Sequence, residues 1–167
     1  MLTLMALAAL VAPQSTWYVD AGGAAPGAGT VSDPYTSVAY AVTQSTTLPG
    51  DTVQVGPGVY PDEEVDFQGK DLRVVSSAGA GATILVAPAY SGTGPGSSVV
   101  QFKNGETRAA LLEGFTLKGG SGAGTSPLGR AGGGVYCQFA GATIRECIFT
   151  ENVAEAGSGF FAFTSGL

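Results

Sequence analysis

GGGVYCQFAGATIRECIFTENVAEAGSGFF, residues 132–161, is a phrase that ends and starts again. Glycines lead into Val135-Tyr136-Cys137. A short apolar run containing Ile144, Cys147 and Phe149 stops at Asn152, glycines return, and Phe160-Phe161 opens the phrase anew. The same words occur upstream. VVQF at 99–102 matches GVYC at 134–137, and ALLEGFTLKGG at 110–120 matches ATIRECIFTEN at 142–152. In that register Leu112 falls on Ile144, Phe115 on Cys147, Leu117 on Phe149 and Gly120 on Asn152. EVDF at 64–67 with KDLRVVSS at 70–77 is a fainter copy, and GFFAF at 159–163 begins a later one.

Phe67, Phe102 and Cys137 lie 35 residues apart, with APAYSGTGPGSS and GGSGAGTSPLGRAGG inserted as loops, whereas Cys137 to Ala162 is 25 residues without such a loop. The underlying unit is a coil of roughly 22–25 residues, within the range of stacked repeats. A coil of that length made of two or three short strands is a rung of a parallel β-helix. Each strand then pairs with its equivalent ~4.8 Å away, and inward residues stack like on like. One rung cannot bury its apolar face alone, so rungs must stack. Gly120, Gly134, Gly141 and Asn152 are expected at corners that need positive φ. The core is predicted to hold Val65, Phe67, Val100, Phe102, Leu112, Leu117, Ile144 and Phe149 in one continuous column.

Composition agrees with an all-β chain rich in turns. Gly is 27 of 167 residues, roughly twice the usual ~7%, and nine Pro add further turns. Only 12% of residues are charged while 44% are apolar, the opposite of a disordered chain. A net charge of −6 argues against nucleic acid, whose phosphates need clustered Lys and Arg. The absence of His excludes a Ser-His-Asp triad within the chain and any His-containing zinc site, and two Cys are too few for an all-thiolate one.

MLTLMALAALVA at the start is too short to span a bilayer and suits the core of a signal peptide over residues 1–16, with cleavage near Ala12 to Thr16. No basic residue precedes the run, and no A-x-A site stands before Trp17. The alternative reading is that Met1 is not the natural start. No other stretch is long and apolar enough to span a membrane. Residues 17–50 are expected to form an N-terminal cap and 51–167 the rungs. Within the cap, one helix is predicted over about 34–45, with Asp33 as N-cap, Pro34 in the first turn, Tyr35, Val38, Ala39 and Val42 at helical spacing, and Pro49-Gly50 ending it.

WYVDAGG (17–23), DPYTSVAYAV (33–42), PGDTVQVGPGVYPD (49–62) and FQGKDLRVVS (67–76) resemble the N-terminal part of secreted right-handed parallel β-helix proteins of the pectate-lyase-like superfamily. GGGVY at 132–136 and FTEN at 149–152 are similar to the repeats of polymorphic outer-membrane proteins. The resemblance implies a capping helix whose Val38 and Val42 cover the first rung, with Asp51 at the turn into it. It also implies a chain that continues beyond Leu167, leaving an open last rung through which the 167-residue chain would self-associate. This fold hosts lyases, hydrolases, epimerases and adhesins, so the resemblance carries little about function. It implies an exported or cell-surface module, on the outer membrane in one version. Its role would be structural or adhesive, with polysaccharide or cell-surface components as partners, or else it would be the N-terminal part of a polysaccharide lyase.

Two readings stand for Asp62, Glu63, Glu64 and Asp66. Carboxylates on adjacent rungs can hold calcium, which in uronate β-elimination would acidify the carbon beside the carboxylate while a Lys or Arg takes the proton. Alternatively they form a solvated corner, which the outward alternation of Glu64 and Asp66 around Val65 and Phe67 favours. Of the seven cations, Lys70, Arg73, Lys103, Arg108, Lys118, Arg130 and Arg145, none joins a recognisable acid/base pair. Arg73 or Lys118 could face a groove, and no catalytic residue is assigned. Cys137 and Cys147 are either buried thiols or a disulfide. Asn152 is expected to hydrogen-bond neighbouring backbone at a corner. GGSGAGTSPLGRAGGG at 119–134 lacks the Gly-Lys-Ser/Thr ending of a phosphate loop and is read as a flexible connection.

Overall fold

The computed structural model describes residues 14–126 and 129–163. The hydrophobic run of residues 1–12 lies outside them. The elements are β1 (Thr16–Val19), α1 (Val38–Thr43), β2 (Thr52–Val55), β3 (Gly58–Tyr60), β4 (Val65–Asp66), β5 (Arg73–Ser76), β6 (Thr83–Val86), β7 (Val100–Phe102), β8 (Leu111–Glu113), β9 (Thr116–Lys118), β10 (Gly124–Ser126), β11 (Gly129–Ala131), β12 (Val135–Gln138), β13 (Thr143–Arg145), β14 (Ile148–Thr150) and β15 (Phe160–Phe163).

Three parallel sheets account for all strands but β10 and β11. The first runs β1-β2-β5-β8-β13, the second β3-β6-β9-β14 and the third β4-β7-β12-β15. From β2 onward the chain visits the sheets in the same order four times, and each strand pairs with its equivalent on the next pass. The register is the one the repeat predicts: Ile144 opposite Leu112, Phe149 opposite Leu117, Cys137 opposite Phe102 and Ala162 opposite Cys137.

Strands β1 to β9 and β12 each send buried side chains into one shared core. Val65, Phe67, Val100, Phe102, Leu112 and Leu117 are fully buried in one cluster. The rings of Phe67 and Phe102 pack at a tilt of 43° with centroids 4.4 Å apart. Ile144 packs against the cluster but is only half-buried. Phe149 departs from expectation, remaining 37% exposed. It belongs to the last pass, and among the described residues no strand lies over it.

Corners differ from the expected set. Ala110–Leu117 and Ala142–Thr150 each break into two strands, at Gly114 (φ 82°) and at the stacked Glu146 (φ 52°). Glu151 (φ 54°) likewise sits over Gly119 (φ 76°). Gly120 and Gly134 are not left-handed; they are glycines because stacked backbone approaches them. A Cβ on Gly120 would lie 1.7 Å from the Gly133 carbonyl oxygen, and one on Gly134 2.5 Å from that of Gly159. Nothing in the structure requires Gly at 141. Asn152 serves through its amide: Gly120 N–H donates to its Oδ1 at 2.8 Å, and its Nδ2 donates to the Leu117 carbonyl at 2.9 Å.

The cap helix is shorter than predicted. Ser37, not Asp33, is the N-cap, its Oγ accepting from Tyr40 N–H at 3.1 Å. Tyr35 is not helical because its backbone pairs with β1: its N–H donates to the Tyr18 carbonyl at 2.9 Å, and its carbonyl accepts from Asp20 N–H at 2.8 Å. Val38, Ala41 and Val42 face the core. The glycine-rich segment is not a plain connection either. It contains the antiparallel hairpin β10–β11, steadied by Arg130, whose Nη1 donates to the Ser121 carbonyl at 3.0 Å and whose guanidinium lies 4.3 Å from the Tyr90 ring centre.

Candidate functional site

The four carboxylates of the 62–66 segment are drawn apart rather than together. Alternation places Val65 inward, and the turn before it swings Glu63 inward as well, leaving it 1% exposed. That placement corrects the solvated-corner reading for this residue. Its carboxylate accepts from Val38 N–H at 2.8 Å and Ala39 N–H at 2.7 Å, covering the amino end of α1. Burial pushes its pKa up, against the opposing pull of these bonds. Lys70 grips the other end of the helix, its Nζ donating to the carbonyls of Val42 at 2.7 Å and Gln44 at 2.9 Å. A negative group on the free N–H end and a positive one on the free C=O end match the helix dipole. Glu63 and Lys70 therefore hold the cap, a role the sequence reading missed.

Glu64 binds Gln101, and Asp66 pairs with Lys103 at 3.1 Å and accepts from Gln68 N–H at 2.9 Å. Asp62 stands exposed at a left-handed corner. Among the described residues, no three His, Cys, Asp or Glu side chains converge where a metal ion could sit.

Asp51 sits at the turn into β2, as the resemblance implies, and is nearly fully buried. It accepts from Ser15 N–H at 2.8 Å, Trp17 Nε1 at 2.9 Å and Leu48 N–H at 3.0 Å. Burial alone would raise its carboxyl, but these bonds outweigh it and the pKa falls below the usual value. Cys137 and Cys147 are both free thiols. Burial raises both pKa values, so neither is poised as a thiolate.

The cations gather elsewhere. A groove of about 540 Å³ opens on the outer face of the first sheet. Its lining crosses neighbouring strands, from Gly50 just before β2, through Arg73 on β5, Arg108 and Leu111 at β8, to Thr143 and Arg145 on β13. The pairing produces this gathering: Arg73 lies opposite Leu111, which lies opposite Thr143. Arg145 is bonded to Glu113 on the adjacent strand. Among the described residues, Arg73 and Arg108 have no carboxylate partner. Asp71, also in the lining, is held by Thr107, whose N–H donates to it at 2.7 Å and whose Oγ donates at 2.6 Å. Lys118, the other groove candidate, instead pairs with Glu151 at 3.1 Å.

An outward, open face carrying three of the chain's seven cations is suited to holding an extended ligand. No helix among the described residues is long and apolar enough to cross a membrane. No family model, curated protein or solved structure matches the chain.

Proposed function

We propose that this chain is a right-handed parallel β-helix that works outside the cell, as a surface-associated adhesive module binding carbohydrate. The β-helix reading is supported by the fourfold visit to three parallel sheets with in-register stacking of equivalent strands. Export is supported by the apolar run at residues 1–12. The observation that carries the function is the groove over the first sheet: about 540 Å³, open, spread over several strands, with hydroxyl, guanidinium and apolar lining of the kind that grips sugar rings without reacting with them.

The test is retention of the purified protein on a panel of insoluble and surface-immobilised polysaccharides, combined with analysis of the eluate for cleavage. Retention without products is the expected result. Failure to bind any polysaccharide would overturn the reading. Release of unsaturated uronate products would move it to the second reading, the N-terminal part of a polysaccharide lyase. The observation favouring that alternative is the presence of the two unpaired guanidiniums, Arg73 and Arg108, in the same groove.

A further inference from the structure

We propose that Asn104 is a site of spontaneous deamidation, and that the isoaspartate it forms loosens the corner held by Glu106. This inference stands apart from the carbohydrate-binding reading and concerns a covalent change built into the chain.

KNGE, residues 103–106, follows β7. Asn104 and Gly105 are both exposed. Gly105 has a φ of 84°, and a Cβ built on it would meet nothing within 4 Å. With no side chain of its own and open space around it, its nitrogen can be approached freely. Among the described residues the Gly105 N–H makes no hydrogen bond. The Asn104 carboxamide makes one, from its Nδ2 to Asp66 Oδ1 at a long 3.3 Å. Asn152, the chain's other asparagine, differs on each count. Its amide is bonded at both ends. The residue after it is the β-branched Val153, whose N–H already donates to the Gly120 carbonyl at 2.7 Å. A held carboxamide and an occupied nucleophile protect Asn152, which makes it an internal control.

The reaction needs water alone. The Gly105 nitrogen gives up its proton to solvent base and attacks Asn104 Cγ. The N–Cγ bond forms, the Cγ–Nδ2 bond breaks, and ammonia leaves with a proton taken from solvent. Water then opens the cyclic imide at either carbonyl. One opening leaves aspartate, the other isoaspartate, whose main chain passes through Cβ and Cγ. Nothing is oxidised or reduced. The consequence follows from Glu106, which is 2% exposed. Its Oε1 accepts from Gly69 N–H at 2.8 Å, its Oε2 from Asn104 N–H at 3.0 Å, and its carbonyl from Gly141 N–H at 2.8 Å. The corner thus joins the passes before and after it. Isoaspartate lengthens the main chain between the Asn104 N–H and Glu106, so the two bonds to the Glu106 carboxylate no longer fit together. Either product also sets a new carboxylate beside Asp66, which Lys103 already neutralises at 3.1 Å.

The full chain is incubated in mildly alkaline buffer, folded and in urea, then mapped by peptide mass spectrometry, with enzymatic methylation to count isoaspartate. The folded wild type should gain the amide-to-acid mass difference at Asn104 and not at Asn152. Conversion should quicken as pH rises, because the attack needs a deprotonated nitrogen. Asn104→Gln, which would have to close a larger ring, should stay intact and keep the wild-type melting temperature, because the side chain is exposed. The aged wild type should melt roughly 3–8 °C lower than the fresh protein. Asn104→Asp adds the charge without lengthening the main chain and should lose less. An Asn104 that converts in urea but stays an amide in the folded chain would overturn the site. Conversion with an unchanged melting temperature, or a loss that Asn104→Asp reproduces in full, would overturn the loosening of the Glu106 corner by isoaspartate.

Discussion

Replacing Glu63 tests how the cap is held. Its carboxylate is 1% exposed and satisfies two N–H groups at the start of α1, a helix of only six residues. So short a helix has no stability of its own; it exists because its apolar face packs on the core and both its ends are bonded. Glu63→Ala leaves the N–H groups of Val38 and Ala39 without acceptors, at about 1–3 kcal/mol each, and opens a void beside Val38. A loss of about 3–5 kcal/mol follows, or a melting temperature lower by roughly 6–15 °C for a chain of this size. Glu63→Gln keeps one acceptor and should lose about 1–2 kcal/mol. The pH dependence has a definite sign. Burial raises the folded-state pKa above the ordinary 4.5, so the folded protein holds this proton more tightly than the unfolded chain. Glu63's contribution is therefore fully present below pH 4.5 and is lost as pH rises through the folded value. Glutamine does not titrate, so the advantage of wild type over Glu63→Gln should narrow with rising pH across that window. Urea denaturation at several pH values, with hydrogen exchange at Val38 and Ala39, measures both effects. Glu63→Ala within ~0.5 kcal/mol of wild type would refute the clamp, and an advantage that widens with pH would refute the raised pKa.

Glu146 occupies a left-handed corner that its stacked neighbour Gly114 fills with glycine. Glu146→Gly removes about 1–2 kcal/mol of strain against ~0.5–1 kcal/mol of added chain entropy, so thermal unfolding should show a net gain of about 0.5–1 kcal/mol. Leu112, fully buried between Val74 and Ile144, should lose about 2–5 kcal/mol on conversion to Ala, read by urea denaturation; a loss below ~1 kcal/mol would contradict the shared core. Ile148 and Phe160 are 50% and 47% exposed on strands paired on one side only. The 167-residue chain should self-associate in sedimentation velocity, and Ile148→Lys with Phe160→Lys should make it monomeric; a wild type that stays monomeric at every loading concentration would rule this out.

Register was legible because inward residues repeat in kind: Phe67, Phe102 and Cys137 mark one column, Leu112 with Ile144 another. The cap was less legible. Asp33-Pro34 has the chemistry of a helix start, but Tyr35 is claimed by backbone pairing with Tyr18, a tertiary preference that local sequence does not display. Glu63 was hidden for a related reason. A run of four acids in five residues reads as solvated, and only the position of α1 above it explains why one of them turns inward. The short strands β1 and β3 are hard to read locally because turn residues follow Trp17 and surround Val59 closely.

The groove was not legible in the repeat, and no local motif announces it. Arg73 and Arg108 are 35 residues apart in sequence, the interval of the core phenylalanines, but the first sheet pairs Arg73 with Leu111 instead. The register sets Arg73 opposite Leu111 and Arg145 opposite Glu113, with Arg108 three residues before β8, so the three arginines reach one groove from different strand positions. In a stacked fold, a pattern that recurs at the repeat interval becomes a row in space whether its residues are apolar or charged. Apolar rows must turn inward, since each buried side chain contributes to the core. Three arginines line one open groove, two of them without a carboxylate partner among the described residues, and that is why the outer face of the first sheet, rather than the acidic corner at 62–66, is proposed as the place for a ligand.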